Sequence, residues 1–542
     1  MKVLIIGGVA AGTKAAAKIK REDRSCEVTI LTKGKDISYA GCGLPYYVGG
    51  VIPTREQLIV NTPESFSRLT GAEVLTETEV TAVDTAAKTV TAVHNGESST
   101  YSYDKLIIAS GASPFRPQIE GLDLENVFFM RTPDDAIALR EAVEAGKIKR
   151  AVVAGGGFIG LEVAENLAEK GVRVNVIDFA PHVLPNFLDP ELSEYVENKM
   201  ADAGINPMTG VALEGVIGDG KVEKVQTSKR AVKADALVLA IGIRPNTAFL
   251  EGSGIEMFKG TILTDKNLRT NVEDVYAIGD CAMVTNRETG EPAWSPMGST
   301  ANIAGRVLAK NLCGNELEYA GVLGTGVAKL PGGINTGRTG LTETAAKAAG
   351  RDVISVLCVV DDKAHYYPGA GSFIIKMVAD KTTRKFLGLQ VLGTGAVDKV
   401  TDIAVTAISL GATVDQLENL DFAYAPPFST AIHPFAHALN ILLNKMSGAF
   451  ETFTPVEFAE GKAEGYRMVD ASLQPSIHSA PYLDLTKIDG EVEGFGKDEK
   501  LLIVCAKGKR AYMVQNRLKY YGYTNTKVLE GGTTFNTVEE ED

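Results

Sequence analysis

Two cysteines stand where sulfur could react. The first is Cys42, in the stretch Ser38-Tyr39-Ala40-Gly41-Cys42-Gly43-Leu44-Pro45-Tyr46-Tyr47, with a glycine on each side. Small neighbours let a flat group or a second sulfur come close to the backbone. The thiolate is the reactive form of cysteine, and it favours a positive or dipolar setting. The competing reading is a small, buried, apolar side chain. The second is Cys505, which ends the apolar run Leu501-Leu502-Ile503-Val504 and opens the loop Cys505-Ala506-Lys507-Gly508-Lys509-Arg510. A helix is read over Ala511–Tyr520. Backbone N–H groups of such a loop and the helix dipole form an anion cradle, to which Lys507, Lys509 and Arg510 add positive charge.

The elements around Cys42 read as two nucleotide-binding βαβ units. Val3–Ile6 is an apolar strand, followed by Gly7-Gly8-Val9-Ala10-Ala11-Gly12, an alanine-rich helix to about Arg21, and the strand Val28–Leu31. Tight-turn glycines bring a pyrophosphate onto a helix N-terminus, where free N–H groups hold it. Val9 takes the second glycine place, and Thr32 stands where an acidic ribose ligand is expected. The second copy is complete. Strand Arg150–Ala154 leads into Gly155-Gly156-Gly157-Phe158-Ile159-Gly160, and Asp178 ends the strand Val174–Ile177. An acid there suits a ribose diol and favours NADH over NADPH. Tyr103–Ala112 and Ala234–Pro245 resemble one another about 130 residues apart, which argues for duplicated domains. Val275–Asp280 is a further strand ending in an acid.

The chain has 542 residues, 45% of them hydrophobic and 23% charged, with a formal charge of −13. That is the balance of a soluble globular chain of about three or four domains. The negative sign disfavours nucleic acid or an anionic membrane as partner. The cysteines at 26, 42, 281, 313, 358 and 505 are dispersed, with no metal-like spacing, which suits a reducing cytoplasm rather than a disulfide scaffold. His433 and His437 share a helix face without an acidic partner pattern, so no metal site is expected. The chain runs from Met1-Lys2 straight into a strand, so no signal peptide is expected, and no apolar run reaches spanning length. The tail Glu539-Glu540-Glu541-Asp542 reads as solvated.

Over about residues 1–450 these motifs resemble the FAD- and NAD(P)H-dependent pyridine nucleotide-disulfide reductases. The resemblance implies FAD on Gly7, Gly8, Gly12, Ser110, Gly111 and Asp280, and NADH, with NADPH as the alternative, on Gly155, Gly157, Gly160 and Asp178. It implies an α/β fold with two Rossmann-like domains: a discontinuous FAD domain at 1–112 and 240–318, and an NAD(P)H domain at 113–239. An α+β dimerisation domain at 319–450 follows, with strands over Thr325–Leu330, Gly337–Leu341, Val353–Val360, Phe373–Val378 and Phe386–Leu392 and helices over Ala396–Leu410 and Pro434–Lys445. Family members that reduce glutathione or lipoamide carry Cys-x4-Cys. Here Tyr47 takes the second place, so the oxidised state is Cys–S–S–R or a sulfenic acid.

Three single-cysteine readings follow. NADH peroxidases and oxidases use a sulfenic acid, and the peroxidases carry a histidine where this chain has Ala10. Coenzyme A disulfide reductases carry a segment very similar to Ser38–Tyr47, and persulfide or polysulfide reductases share the scaffold. Coenzyme A needs cations, and Lys14, Lys18 and Arg21 lie on one helix face, with Ser38 a further candidate for binding it. Tyr367 and Tyr424, in aromatic and proline-rich loops, match tyrosines that reach the substrate sulfur across a homodimer. After Thr452-Phe453-Thr454-Pro455, read as a linker, residues 455–542 resemble a small α/β rhodanese domain. That resemblance implies that Cys505, with Arg510, carries sulfane sulfur as a persulfide. Ser472 departs from that family's usual arginine. The implied activity is NADH-dependent, FAD-mediated cleavage of the S–S bond of CoA persulfide, polysulfide or CoA disulfide at Cys42. The rivals are a peroxide- or oxygen-reducing enzyme and a sulfur-trafficking protein centred on Cys505.

Overall fold

The computed structural model describes residues 1–538, so the expectation for the acidic tail lies outside the described residues. The chain forms two compact units, Met1–Val183 with Met200–Val322, and Leu184–Lys199 with Leu323 onward.

The first unit holds two five-stranded parallel sheets. One runs in the order Val275–Ala277, Lys105–Ile108, Lys2–Ile6, Glu27–Leu31, Glu73–Leu75. The other runs Asn206–Met208, Arg173–Ile177, Arg150–Ala154, Ala236–Leu239, Val127–Phe129. The two are built alike. Ile6 is level with Leu31 and Ile108, as Ala154 is with Ile177 and Leu239. The central strands are apolar along their length because parallel sheets are covered on both faces. The duplication read from Tyr103–Ala112 and Ala234–Pro245 is therefore a repeat of sheet position. The helix Ala11–Glu22 buries Ala15, Ala16 and Ile19 and packs closely on Gly298–Leu312, where a Cβ at Gly305 would stand 2.9 Å from the Ala11 carbonyl oxygen. An antiparallel meander, Thr78–Asp84, Thr89–His94 and Glu97–Ser102, also belongs to this unit. Its last strand is largely exposed and polar, so hydrophobic patterning leaves it silent.

The second unit contains a five-stranded antiparallel sheet in the order Gly326–Leu330, Ile334–Gly340, Phe386–Gly393, Ser372–Asp380, Val353–Asp361. Helices Val397–Ser409 and Pro434–Met446 pack on it. A four-stranded parallel sheet follows in the order Thr452–Phe453, Thr526–Leu529, Leu501–Val504, Arg467–Asp470. The expected linker is thus a correction. Thr452–Phe453 pairs with Thr526–Leu529, and Thr454 caps the helix Pro455–Ala459 in a capping box with Glu457. Polar turn-formers mark a cap here, and the apolar residues on either side form one core, in which Val356, Phe386 and Phe435 join Ile503, Val514 and Tyr523.

A buried ion cluster anchors the start of this unit. The Lys376 ammonium lies 3.0 Å from Asp189 and 2.8 Å from Glu343, and also pairs with Glu191. Burial pushes the Asp189 carboxyl up, but Lys376 and hydrogen bonds from Thr344 and Gln390 outweigh it and hold the group well below the usual range. The three acids are close enough to hold a cation, and the lysine is that cation. His433 caps the helix Pro434–Met446, its Nδ1 accepting the Phe435 N–H at 3.2 Å, and it stacks on Phe422. Its role is structural.

Candidate active site

Both glycine turns are cradles that a side chain would fill. Gly7 has φ +112°, and a Cβ there would meet the Ala109 carbonyl oxygen at 2.1 Å; Gly155 has φ +111° and would meet Ala240 oxygen at 2.2 Å. A Cβ at Gly12 would lie 1.9 Å from Gly7 oxygen, and one at Gly160 1.9 Å from Gly155 oxygen. Nothing lies within 4 Å of a Cβ at Gly157, so its missing side chain leaves room for a ligand. Neither following helix has a side-chain N-cap, the setting in which a helix N-terminus receives an anion.

In front of the first turn lies a cavity of about 780 Å³, lined among others by Gly7, Gly8, Ser110, Gly111, Arg131 and Asp280. Asp280 pairs with Arg131 at 2.9 Å. Thr32 also lines the cavity, with Lys33, Asp36 and Glu79 nearby, so carboxylates reach it from outside the expected position. The volume, the free helix terminus and the carboxylate fit a dinucleotide such as FAD. In the second cradle Asp178 braces the turn, accepting the Gly156 N–H at 2.6 Å and the Ala180 N–H at 2.7 Å.

Cys42 sits in the single 3₁₀ turn Gly41–Gly43 that leads into the helix Leu44–Val48. Of the six cysteines it alone is exposed. Tyr47, in the place of a second cysteine, is buried under Arg140, whose guanidinium lies 4.6 Å from the ring centroid. Arg140 also donates to the carbonyls of Tyr47, Ile52 and Pro53, tying down the chain after the cysteine. The electrostatics differ from the positive setting expected for a reactive thiolate. Burial pushes the Cys42 thiol up, Glu162 and Asp280 push it further, and only Arg131 opposes them.

Glu162 was not singled out by sequence reasoning. It lies on the helix Phe158–Glu169, two residues after the last glycine of the turn, and accepts the Tyr46 hydroxyl at 3.1 Å. Burial raises its carboxyl to about 7, with Glu165 adding to the rise and Tyr46 opposing it. A carboxylate in an otherwise apolar stretch of helix is the signal that could have found it.

The cationic helix face divides. Lys14 and Arg21 line a cavity of about 300 Å³ together with Ser38, Tyr39 and Asn302. Lys18 pairs with Glu22 instead. Ser38 has φ +48°, a strained value for a residue with a side chain, and its N–H donates to Gly8 oxygen at 2.9 Å.

In the second unit the Tyr424 hydroxyl lies 3.5 Å from that of Tyr366, the neighbour of the expected Tyr367. The hydrogen bond with Tyr366 pushes the Tyr424 phenol up, the sense expected when Tyr424 donates it. Tyr366 and Tyr367 lie in the loop between the strands Val353–Asp361 and Ser372–Asp380.

Cys505 follows its strand as expected, is buried, and accepts the Ala511 N–H at 3.4 Å. The helix begins earlier than read, at Lys509. Gly532 packs under the loop, where a Cβ would lie 2.0 Å from the Cys505 oxygen. Thr533 and Thr534 N–H groups donate to the Cys505 and Ala506 oxygens at 3.2 and 3.0 Å. Arg510 donates to Ala471 oxygen at 3.1 Å, and Lys507 pairs with Asp361 at 2.6 Å. Both side chains thus have partners other than the sulfur. Ser472 takes part in a different anchor. Asp470 accepts N–H groups from Ser472, Ser476 and Ile477 at 2.6–3.0 Å.

Three family models match the chain: pyridine nucleotide-disulphide oxidoreductase over residues 1–301, the dimerisation domain of that family over 333–436, and a rhodanese-like domain over 447–534. A Methanocaldococcus jannaschii protein described as an NADH oxidase is 35% identical over 82% of this chain and 100% of its own length. A Pyrococcus horikoshii NAD(P)H coenzyme A polysulfide/persulfide reductase is 36% identical over 81% of this chain and 98% of its own. The solved structure of a NAD-dependent persulfide reductase from A. fulgidus, 36% identical, covers 99% of this chain and 100% of its own with a TM-score of 0.93. Among the described residues no helix is long and apolar enough to cross a membrane. The chain is an oxidoreductase of the pyridine nucleotide-disulphide oxidoreductase family, with a dimerisation domain and a C-terminal rhodanese-like domain.

Proposed function

We propose that this chain uses NAD(P)H to reduce the sulfur–sulfur bond of CoA persulfide, polysulfide or CoA disulfide at Cys42, with Cys505 as a carrier of sulfane sulfur. One observation carries the reading: Cys42 is the exposed cysteine, and Tyr47 packs under Arg140 where a second cysteine would stand. Its sulfur partner then comes from the substrate. The P. horikoshii and A. fulgidus proteins, described as acting on persulfide, support this substrate class.

Gly7, Gly8, Ser110, Gly111 and Asp280 would hold FAD, and Gly155, Gly157, Gly160 and Asp178 would hold NAD(P)H. Bound there, the pair would supply two electrons to the sulfur on Cys42. The Cys42 thiolate attacks one sulfur of the substrate, and the bonding electron pair leaves with the CoA thiolate, or with the shortened polysulfide anion when polysulfide is the substrate. Lys14 and Arg21 bind the phosphates of CoA beside Ser38. In a homodimer, the phenols of Tyr424 and Tyr366 or Tyr367 donate a hydrogen bond to the leaving sulfur at the partner's Cys42. Free thiols at Cys42 and Cys505 suit a reducing cytoplasm.

A second reading, NADH oxidation through a Cys42 sulfenic acid, rests on the M. jannaschii relative. NADH oxidation is measured with CoA disulfide, CoA persulfide and hydrogen peroxide on the wild type, Cys42→Ser and Cys505→Ser. The sulfur substrates are expected to drive turnover, and Cys42→Ser to abolish it. Faster turnover with peroxide supports the second reading. Full activity in Cys42→Ser overturns the mechanism, and loss in Cys505→Ser alone supports a sulfur-trafficking protein. The purified protein is expected to be yellow.

A further inference from the structure

The loop that opens at Cys505 is held from two sides. Its carbonyls at Cys505 and Ala506 accept the N–H groups of Thr533 and Thr534. On the other side the Lys507 ammonium reaches the antiparallel sheet, donating to Asp361 Oδ1 at 2.6 Å and to Ser372 Oγ at 2.7 Å. Asp361 and Ser372 are themselves partners across the Val353–Asp361 and Ser372–Asp380 strands. They form the last rung of that ladder before the strands part into the loop carrying Tyr366 and Tyr367. The rung continues into the loop, since Asp362 donates its N–H to Gly371 oxygen at 3.1 Å and accepts the Gly371 N–H on Oδ1 at 2.7 Å. A lysine that only added charge around Cys505 would point at the sulfur. This one is ordered by two acceptors at the root of the phenol loop, although its side chain and that of Asp361 are 39% and 38% exposed. An ion pair this exposed contributes little to stability, so its geometric effect is the larger consequence.

We propose that Lys507 is a positioning residue that ties the sulfur-carrying loop to the hairpin bearing Tyr366 and Tyr367, so that sulfur loaded on Cys505 changes how the phenols serve the reductase reaction. The inference rests on the reading of Cys505 as a sulfur carrier. Loading is done with thiosulfate: the Cys505 thiolate attacks the outer sulfur, the S–S bond breaks, and sulfite leaves with the bonding pair, so that Cys505–S–S⁻ forms without net oxidation. The added sulfur shifts the loop's N–H donors, and the two hydrogen bonds of Lys507 pass that shift to the rung at Asp361 and Ser372.

The test uses the full-length, FAD-loaded enzyme, desalted after thiosulfate treatment. Cyanide-releasable sulfur measures loading, and kcat and KM are measured for NADH-dependent reduction of CoA disulfide, loaded against unloaded. In the wild type, loading is expected to change kcat or KM about fivefold, a coupling typical of linked sites. Lys507→Met is expected to load equally and keep its unloaded activity, but to lose the response, and Lys507→Arg to restore it. Equal responses in the wild type and Lys507→Met overturn the inference, as does a response that persists in Cys505→Ser. No response in a fully loaded wild type also overturns it while leaving Cys505 a carrier. No cyanide-releasable sulfur in the wild type overturns the carrier reading, and the inference with it.

Discussion

Replacing Glu162 by glutamine tests the electrostatics around Cys42 directly. The carboxyl titrates near 7 rather than 4.5, chiefly because it is buried. The difference corresponds to about 3 kcal/mol between its two protonation states, an upper bound because the group is not wholly buried. A carboxyl raised in the folded state stabilises the fold fully below pH 4.5, and that contribution is lost as pH rises through about 7. Above that, the folded chain holds an unfavourable buried charge beside Tyr46 and Cys42. Glu162→Gln keeps the shape and the acceptor for the Tyr46 hydroxyl but cannot ionise. Its stability relative to wild type is expected to rise between pH 4.5 and about 7 and level off above, by up to about 3 kcal/mol. The charge also acts on Cys42, whose thiol is raised chiefly by burial and next by Glu162. Without it, Cys42 ionises at lower pH. The assay is the rate of Cys42 alkylation by iodoacetamide against pH, read by mass spectrometry, beside thermal unfolding at the same pH values. The midpoint is expected to move down in Glu162→Gln. Superimposable alkylation profiles, together with a stability difference that does not depend on pH, would refute the reasoning.

Three further outcomes are expected. Gly7→Ala puts a methyl 2.1 Å from the Ala109 oxygen at φ +112°, so flavin content on purification should fall, whereas Gly155→Ala should keep the flavin and raise the KM for NADH; normal flavin in Gly7→Ala contradicts this. Arg21→Ala and Lys14→Ala should each raise the KM for CoA disulfide by about tenfold, the scale of a lost charged hydrogen bond. Lys18→Ala should have a smaller effect because Lys18 pairs with Glu22, and the KM of the wild type should rise with salt. Lys376→Met leaves the buried Asp189 without its cation, whereas Glu343 keeps Lys347, and should cost about 3–5 kcal/mol, seen as a lower unfolding midpoint of the second unit, with pH reduction partly restoring it.

The residue order alone settled the two glycine cradles, the cysteine flanked by Gly41 and Gly43, and the loop of Cys505. Each depends on residues adjacent in the chain: glycines at Gly7, Gly12, Gly155 and Gly160 whose backbone admits no side chain, and a cysteine at the end of an apolar strand. The inner strands of the duplicated sheets were equally legible, because parallel strands buried on both faces read as apolar runs, whereas the short edge strands Glu73–Leu75, Asn206–Met208 and Val127–Phe129 were not. Tertiary structure decided what those groups feel. It placed Glu162 against Tyr46, a contact spanning more than a hundred residues of sequence, and so reversed the expected setting of the Cys42 thiol. It divided Lys14, Lys18 and Arg21, which helical spacing treats alike, by giving only one of them a carboxylate partner on its own helix. It chose Tyr366 as the neighbour of Tyr424, and it turned Lys507 from the sulfur toward Asp361, since adjacent residues in a loop diverge by an angle that no local pattern records. Thr452–Phe453 read as a linker because a two-residue edge strand has no periodicity, and only its pairing with Thr526–Leu529 makes it part of the sheet.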